Sequence, residues 1–305
     1  MKSVSYVTVD VFTSERFAGN PLAVIPDARR LTDAEMQAIA AEFGYSETTF
    51  VLPPDDPTNT ARVRIFTPTS EVPFAGHPNV GTAFVLGRQR DIFGKAPGRQ
   101  LRFEEKAGLV DVTLLGEDGI VTGARIVAPQ PLAVGPDIDV ATIAACASLD
   151  ATALSDRNHA PVRLSVGLPF AVAEVGDLET LSRARPNVSA FHEANGHYPL
   201  AVDSFSLFLY AREREHPWRV RARMFAPLDN VIEDPATGSA SAALGAYLVL
   251  LLADADAEIE IAVEQGVEMG RRSVITVGVG KKNGALGEVS VSGDCVTAMS
   301  GSIEI

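Results

Sequence analysis

The segment A-R-V-R-I-F-T-P, Ala61 to Pro68, has a second version further along the chain, V-R-A-R-M-F-A-P, Val220 to Pro227. At a constant offset of 159 residues, Arg62 falls on Arg221, Arg64 on Arg223, Phe66 on Phe225 and Pro68 on Pro227. Each version leads into a stretch of small residues that opens an apolar run, A-G-H-P-N-V-G-T-A around His77 and D-P-A-T-G-S-A after Asp234. Carried on without a gap, the same offset puts His77 opposite Ala236 and Gly87 opposite Ala246. Few folds satisfy a duplicated strand–loop–helix unit. It calls for two similar halves, and a cleft between such halves could present one set of groups to each side of a small molecule. That arrangement suits moving a proton.

The length of 305 residues allows two domains of ordinary size. The expected boundaries are 1–127, completed by a C-terminal strand at about 294–305, and 128–293. Apolar residues make up 46% and charged residues 21%, as in ordinary globular proteins. A net charge of −13 and the lack of any Lys/Arg block argue against nucleic acid as a partner. Two cysteines, Cys146 and Cys295, are too few for a disulfide framework and read as free thiols in a reducing compartment. The start of the chain alternates valines with polar residues, which is a strand pattern and not a signal peptide. The longest apolar run, Tyr247 to Ala253, is far too short to cross a membrane and reads as the buried end of a helix. A cytoplasmic protein without a membrane partner is the expectation.

Local signals give a mixed α+β fold. Thr32 and Glu35 form a capping box before Met36, Ile39, Ala40 and Phe43, and Gly44 is placed to end that helix. S-E-T-T-F-V reads as a strand with Glu47 near its start. Pro78 to about Gln89 reads as a helix packing through Val80, Ala83, Phe84 and Leu86, since proline is tolerated in a first turn. Leu101–Glu105, Leu109–Leu115 and Ile120–Val127 form a meander. The Pro/Gly-rich Ala128–Asp137 is the expected linker. Beyond it come helices near Val140–Ala147 and Leu178–Arg183, strands near Ser204–Tyr210 and Arg219–Phe225, and a helix over Gly238–Leu252. Short strands separated by glycines fill Ile259–Ile305. Strict βαβ alternation is absent, so two layered or barrel-like domains are expected and a Rossmann sheet is not.

Several standard sites are missing: there is no dinucleotide fingerprint after a strand, no Walker A loop, no H-E-x-x-H and no nucleophile elbow. The five histidines, His77, His159, His192, His197 and His216, lack ligand spacing, so no metal and no cofactor is expected. The two repeat tips remain. His77 among glycine, alanine and proline sits at a helix start, where unpaired N–H groups and the helix dipole favour an anion. Asp234, Thr237, Gly238 and Ser239 occupy the second tip. Two such tips would form a receptor for a small carboxylate. Blander roles compete: His77 bonding its own backbone, Asp234 as an N-cap, Glu47 as a solvated surface acid. Arg62, Arg64, Arg221 and Arg223 are expected to line a solvent-facing strand edge.

V-D-V-F-T-S-E-R-F-A-G-N-P-L-A-V-I, S-E-T-T-F-V, R-I-F-T-P-T-S-E-V-P-F-A-G-H-P-N-V-G-T-A, E-D-P-A-T-G-S-A-S-A-A-L and E-Q-G-V-E-M-G-R-R-S together resemble the PhzF-like phenazine-biosynthesis family. The resemblance spans nearly the whole chain. It implies the diaminopimelate-epimerase-like fold, two pseudo-symmetric domains each built as a barrel-like sheet around a central helix. The superfamily's racemases carry a thiol at each tip, whereas His77 and Ala236 stand at the expected positions here, so a two-thiol racemase is excluded. The family's characterised member isomerises trans-2,3-dihydro-3-hydroxyanthranilate without a cofactor. Carried across, Glu47 is the proton-shuttling acid/base, His77, Asp234 and Ser239 hold the substrate and assist, and Gly76 and Gly238 offer backbone N–H groups. A homodimer is also implied. The alternatives are a non-catalytic small-molecule binder, and a lyase or dehydratase using the same base.

Overall fold

The computed structural model describes residues 2–200 and 204–305. The chain divides into two compact units, the residues up to Val127 together with Ser292–Ile305, and Ala128–Val291.

In the first unit the elements run β1 (Ser3–Val11), β2 (Asn20–Ile25), α1 (Asp33–Phe43), β3 (Thr48–Leu52), β4 (Ala61–Phe66), β5 (Glu71–Val72), α2 (Gly76–Gly87), β6 (Gln100–Glu105), β7 (Gly108–Glu117) and β8 (Ile120–Val127). Pairing passes from β1 to β2 antiparallel, β2 to β3 parallel, β3 to β4 antiparallel, and β4 to β6 parallel. It continues antiparallel through β7 to β8. The last strand of the chain, from Cys295 to Glu304, pairs with β1 and also with β8, which closes a ring of eight strands.

Helix α2 fills that ring and packs on β1, β2, β3, β7 and β8. Its residues from His77 to Leu86 are all buried, as expected of a helix apolar on every side. Gly81 allows the close approach: a Cβ there would meet the Leu22 side chain at 2.6 Å and Val11 at 2.8 Å. Helix α1 lies on the outside. Its capping box, Thr32 with Glu35, is formed, and Gly44 ends it at φ 63°. It buries Met36, Ile39 and Ala40 against Ile25, Phe50 and Phe66.

The second unit repeats the scheme with β9 (Ala133–Asp137), α3 (Val140–Ala147), β10 (Leu154–Ser155), β11 (Val162–Ser165), β12 (Pro169–Val175), α4 (Leu178–Arg183), α5 (Val188–His197), β13 (Leu207–Arg212), β14 (Arg219–Ala226), β15 (Val231–Asp234), α6 (Gly238–Leu250), β16 (Ala257–Gln265), β17 (Ser273–Lys282) and the first part of β18 (Ala285–Glu304), whose residues from Ser292 onward belong to the first unit. The order β11, β12, β13, β14, β16, β17 repeats that of β1, β2, β3, β4, β6, β7, including both parallel steps. Helix α6 packs on β11, β12, β16 and β17 and stands where α2 stands in the first unit. Helices α3, α4 and α5 bury Ile143, Leu181 and Phe191 against Leu207 and Leu209.

Four expectations need correction. The expected linker is half strand: Ala133–Asp137 is exposed along its length, yet pairs with β11. The glycines after Ala285 do not break the chain into short strands, because β18 runs for 20 residues. The apolar run at the end of α6 is buried only in part: Leu248 and Val249 are buried, whereas Leu250 and Leu251 are 38% and 46% exposed. The conserved-offset arginines do not share a solvent-facing edge. Arg223 is only 2% exposed and donates to Glu233 and to the carbonyls of Leu181, Ser182 and Ala184. Arg64 likewise clamps Glu71 with two bonds of 2.8 Å and reaches Asp33.

Candidate active site

Strand β3 is buried at every position, which leaves Glu47, the residue before it, at the strand's mouth. The strand is tied to the central helix by a 2.8 Å bond between the Thr49 and Thr82 hydroxyls. This tie sets Glu47 beside the first turn of α2, with its Oε2 3.6 Å from His77 Nε2. His77 itself is 7% exposed. The Glu47 side chain is 20% exposed overall, but its Oε2 atom is sealed and meets no hydrogen-bond donor. Desolvation pushes its pKa up to about 7, against the opposing pull of the Ser46 hydroxyl. Ser46 Oγ in turn lies 3.4 Å from Asn20 Oδ1 in the G-N-P turn of the sequence.

The second tip is built around a different network. Asp234, 8% exposed, accepts the Thr237 hydroxyl at 2.6 Å. Gln265, fully buried at the end of β16, accepts the Thr237 N–H at 3.0 Å and donates to the Asp234 carbonyl at 2.7 Å and to Thr237 Oγ1 at 3.0 Å. At Gly266, φ 74° and contacts of 2.4 and 2.7 Å from an added Cβ to the Arg271 and Pro235 carbonyls explain why glycine follows. The segment E-Q-G-V-E-M-G-R-R-S therefore braces the α6 tip through Gln265 and Gly266. Asp234 is not the N-cap: that position is Thr237, which makes no side-chain cap bond.

The helix starts also correct the repeat. Gly76 opens α2 and Gly238 opens α6, an offset of 162. Counted from the aligned Phe66 and Phe225, the stretch leading to α6 is three residues longer than that leading to α2, so Ser239, not Ala236, is the counterpart of His77. Neither is a thiol. Cys146 lies within α3, with its pKa raised by burial to about 12, and Cys295 lies in β18, raised further still. Neither sits at a helix tip.

Capping separates these helices from the rest. Thr32, Asp139, Asp177 and Asn187 cap α1, α3, α4 and α5 with their side chains. The N-cap residues of α2 and α6, Ala75 and Thr237, supply no such bond. Gly76 and Ser239 are half-buried, Gly238 buried. Sequence reasoning named Glu47, His77, Gly76, Asp234, Gly238 and Ser239 as one site; the structure brings Glu47 to His77 at the α2 tip, and Asp234, Gly238 and Ser239 to the α6 tip. It assigned no role to Ser46, Asn79, Glu105 or Gln265, although Gln265 stands inside a motif it singled out. Among the described residues, no group of three or more His, Cys, Asp or Glu side chains is placed to hold a metal ion. No helix among them is long and apolar enough to cross a membrane.

The family described as "Phenazine biosynthesis-like protein" (PhzC-PhzF) matches residues 9–301. The chain belongs to this family. An uncharacterized isomerase of Mesorhizobium japonicum is 36% identical to this PhzF-type chain over 309 residues, covering all of both. The trans-2,3-dihydro-3-hydroxyanthranilate isomerase of Pseudomonas chlororaphis is 36% identical over 303 residues, covering 98% of each. The crystal structure of the Bacillus anthracis phenazine biosynthesis protein of the PhzF family superposes with a TM-score of 0.86 at 29% identity, covering all of both chains. The PhzF-type chain is thus an isomerase with a diaminopimelate-epimerase-like fold.

Proposed function

We propose that this chain isomerises a small cyclic amino or carboxylic acid by acid–base proton transfer, without a cofactor, with trans-2,3-dihydro-3-hydroxyanthranilate as the first substrate to test. The observation that carries this reading is the Glu47 carboxyl, its Oε2 sealed and 3.6 Å from His77 at a helix tip. A proton-transfer acid/base works best with a pKa near the operating pH, and desolvation puts Glu47 at about 7. In this scheme the Glu47 carboxylate takes a proton from a substrate carbon, and the electron pair left behind delocalises over the conjugated system. Glu47 then returns the proton at another carbon. Atoms balance, and the product has the mass of the substrate.

The tips have assigned roles. His77 orients the migrating proton's neighbourhood, and the Gly76 N–H offers a hydrogen bond to developing negative charge. Asp234, Ser239 and the Gly238 N–H hold the substrate's polar groups. Proton transfer of this kind typically contributes about 10²–10⁴-fold, and positioning supplies much of the rest. The two compact units serve as the two domains, and a cytoplasmic homodimer is part of the same reading, supported by the family membership.

The test is incubation with trans-2,3-dihydro-3-hydroxyanthranilate, followed by NMR and mass spectrometry of the product. A new isomer of unchanged mass supports the proposal. Loss of one water would instead make the chain a dehydratase using the same base. Ligand-induced shifts without turnover across a panel of ring amino acids would mark a binding protein.

A further inference from the structure

Strand β6 turns Leu101 and Phe103 into the core of the first unit, and Glu105 is next in that inward row. A carboxyl at a core position needs a reason. Both of its oxygens are sealed and form no hydrogen bond of normal geometry. The side chain it faces is Asn79 in the first turn of α2, and burial drives its pKa up to about 8 against the opposing influence of that amide. Asn79 is fully buried and donates to the carbonyl of Ala75, the N-cap of α2, at 3.1 Å. Its amide carries a second hydrogen.

The second unit shows what a residue at this place does. The parallel pairing of β4 with β6 sets Arg62 opposite Glu104, and that of β14 with β16 sets Arg221 opposite Glu264. The next residues, Glu105 and Gln265, therefore occupy equivalent positions. Gln265 braces the α6 tip directly through Thr237 and Asp234. Counted from Phe66 and Phe225, the stretch before α2 is three residues shorter, and Asn79 stands between Glu105 and the Ala75 carbonyl.

We propose that Glu105 is a positioning residue, the counterpart of Gln265, which holds the α2 tip and thereby His77 and Gly76 through Asn79. It does so as a neutral acid, whose carbonyl oxygen accepts from Asn79 as the amide oxygen of Gln265 accepts from Thr237. Ionisation puts a charge in a sealed site with a single amide for company, and the tip shifts to admit water. Other groups around α2 are accounted for. Glu47 lies before β3, Asp10 on β1 accepts the Phe17 N–H, Asp111 on β7 pairs with Arg102, and Glu117 and Arg125 lie on β7 and β8. On its own hairpin, Glu104 takes the Asp55 and Asp56 N–H groups, and Lys106 pairs with Glu71.

The inference rests on the α2 tip being part of the reaction site, but its test needs no substrate. The imidazole resonances of His77 are followed by NMR from pH 6 to pH 10 in the Glu47→Gln background, which removes the titration of the nearer acid. The expected result is an inflection near pH 8 that Glu105→Gln abolishes, leaving the low-pH position of His77 unchanged. Glu105→Leu should displace His77 at every pH and lower kcat of the otherwise wild-type enzyme by roughly 10²-fold, the scale of a misplaced catalytic group. If that variant does not fold, Asn79→Ala replaces it, with the same displacement expected and no remaining effect of Glu105→Gln. An inflection that persists in Glu105→Gln, or a His77 position indifferent to Asn79→Ala, overturns the brace. Lack of turnover by the wild type would overturn the site assignment and leave this experiment interpretable.

Discussion

At the α2 tip a glutamate with one sealed oxygen faces a histidine across 3.6 Å, with no donor to that oxygen. At the α6 tip the residue in the histidine's place is Ser239, and the acid, Asp234, is tied to Thr237 at 2.6 Å within a network closed by Gln265. The backbones are the same scheme, strand, turn and central helix, with the same inward strand end beneath. The difference lies in what each acid can exchange. Glu47 is raised by desolvation to a pKa where it can give and take a proton, while Asp234 spends a lone pair on a fixed hydroxyl. In the proposed function the α2 tip transfers and the α6 tip holds, and the two tips differ by side chains and a three-residue loop.

Stability measurements can break this comparison, beginning with the largest effect. Arg223→Ala removes a buried guanidinium, strands Glu233 and leaves three carbonyls without their donor, so a loss of about 3–5 kcal/mol in denaturant unfolding is expected. Its counterpart Arg64 is 20% exposed, and Arg64→Ala should cost roughly a third as much. Equal losses would contradict the asymmetry.

Glu47→Gln should move stability the other way, and only at higher pH. The folded state holds the Glu47 proton up to about pH 7, while the unfolded chain releases it near 4.5. Wild-type stability therefore falls as pH rises from about 4.5 to 7 and stays reduced above that. On the order of 3 kcal/mol is at stake, and the glutamine variant recovers it at pH 8 but not at pH 4. Gln265→Leu, which leaves the Thr237 N–H and the Asp234 carbonyl unpaired, should cost about 2 kcal/mol. The smallest effect sits outside both tips: Thr32→Ala removes the α1 cap at a cost of about 1 kcal/mol.

Much of the fold was legible because its signals are local. The capping box at Thr32, the αL glycine at 44 and the alternation of β6, β7 and β8 each depend on residues a few positions apart. The family motifs likewise run continuously along the chain. What escaped depends on distant partners. A strand arginine reads as solvated, and Arg223 is buried only because carbonyls some 40 residues earlier end α4 beneath it. Helix α5 escaped because its buried face is just Ala190, Phe191 and Ala194, with glycine and asparagine in its last turn. The glycines of β18 read as turns, but Gly293 lies where β8 and β18 run close, and a Cβ on Gly123 of β8 would meet its carbonyl at 2.1 Å. Glu47 and His77 were legible as candidates; the burial of Glu47 Oε2 was not, since it depends on how β3 and α2 pack and not on the residues next to Glu47.

The most direct test of proton transfer at the α2 tip is deuterium incorporation from D₂O into trans-2,3-dihydro-3-hydroxyanthranilate or its product, followed by NMR for the wild type, Glu47→Gln and Asp234→Asn. The account predicts incorporation at a ring carbon by the wild type, a loss of about 10²–10⁴-fold in Glu47→Gln, and a weaker loss in Asp234→Asn. Undiminished incorporation in Glu47→Gln would contradict it.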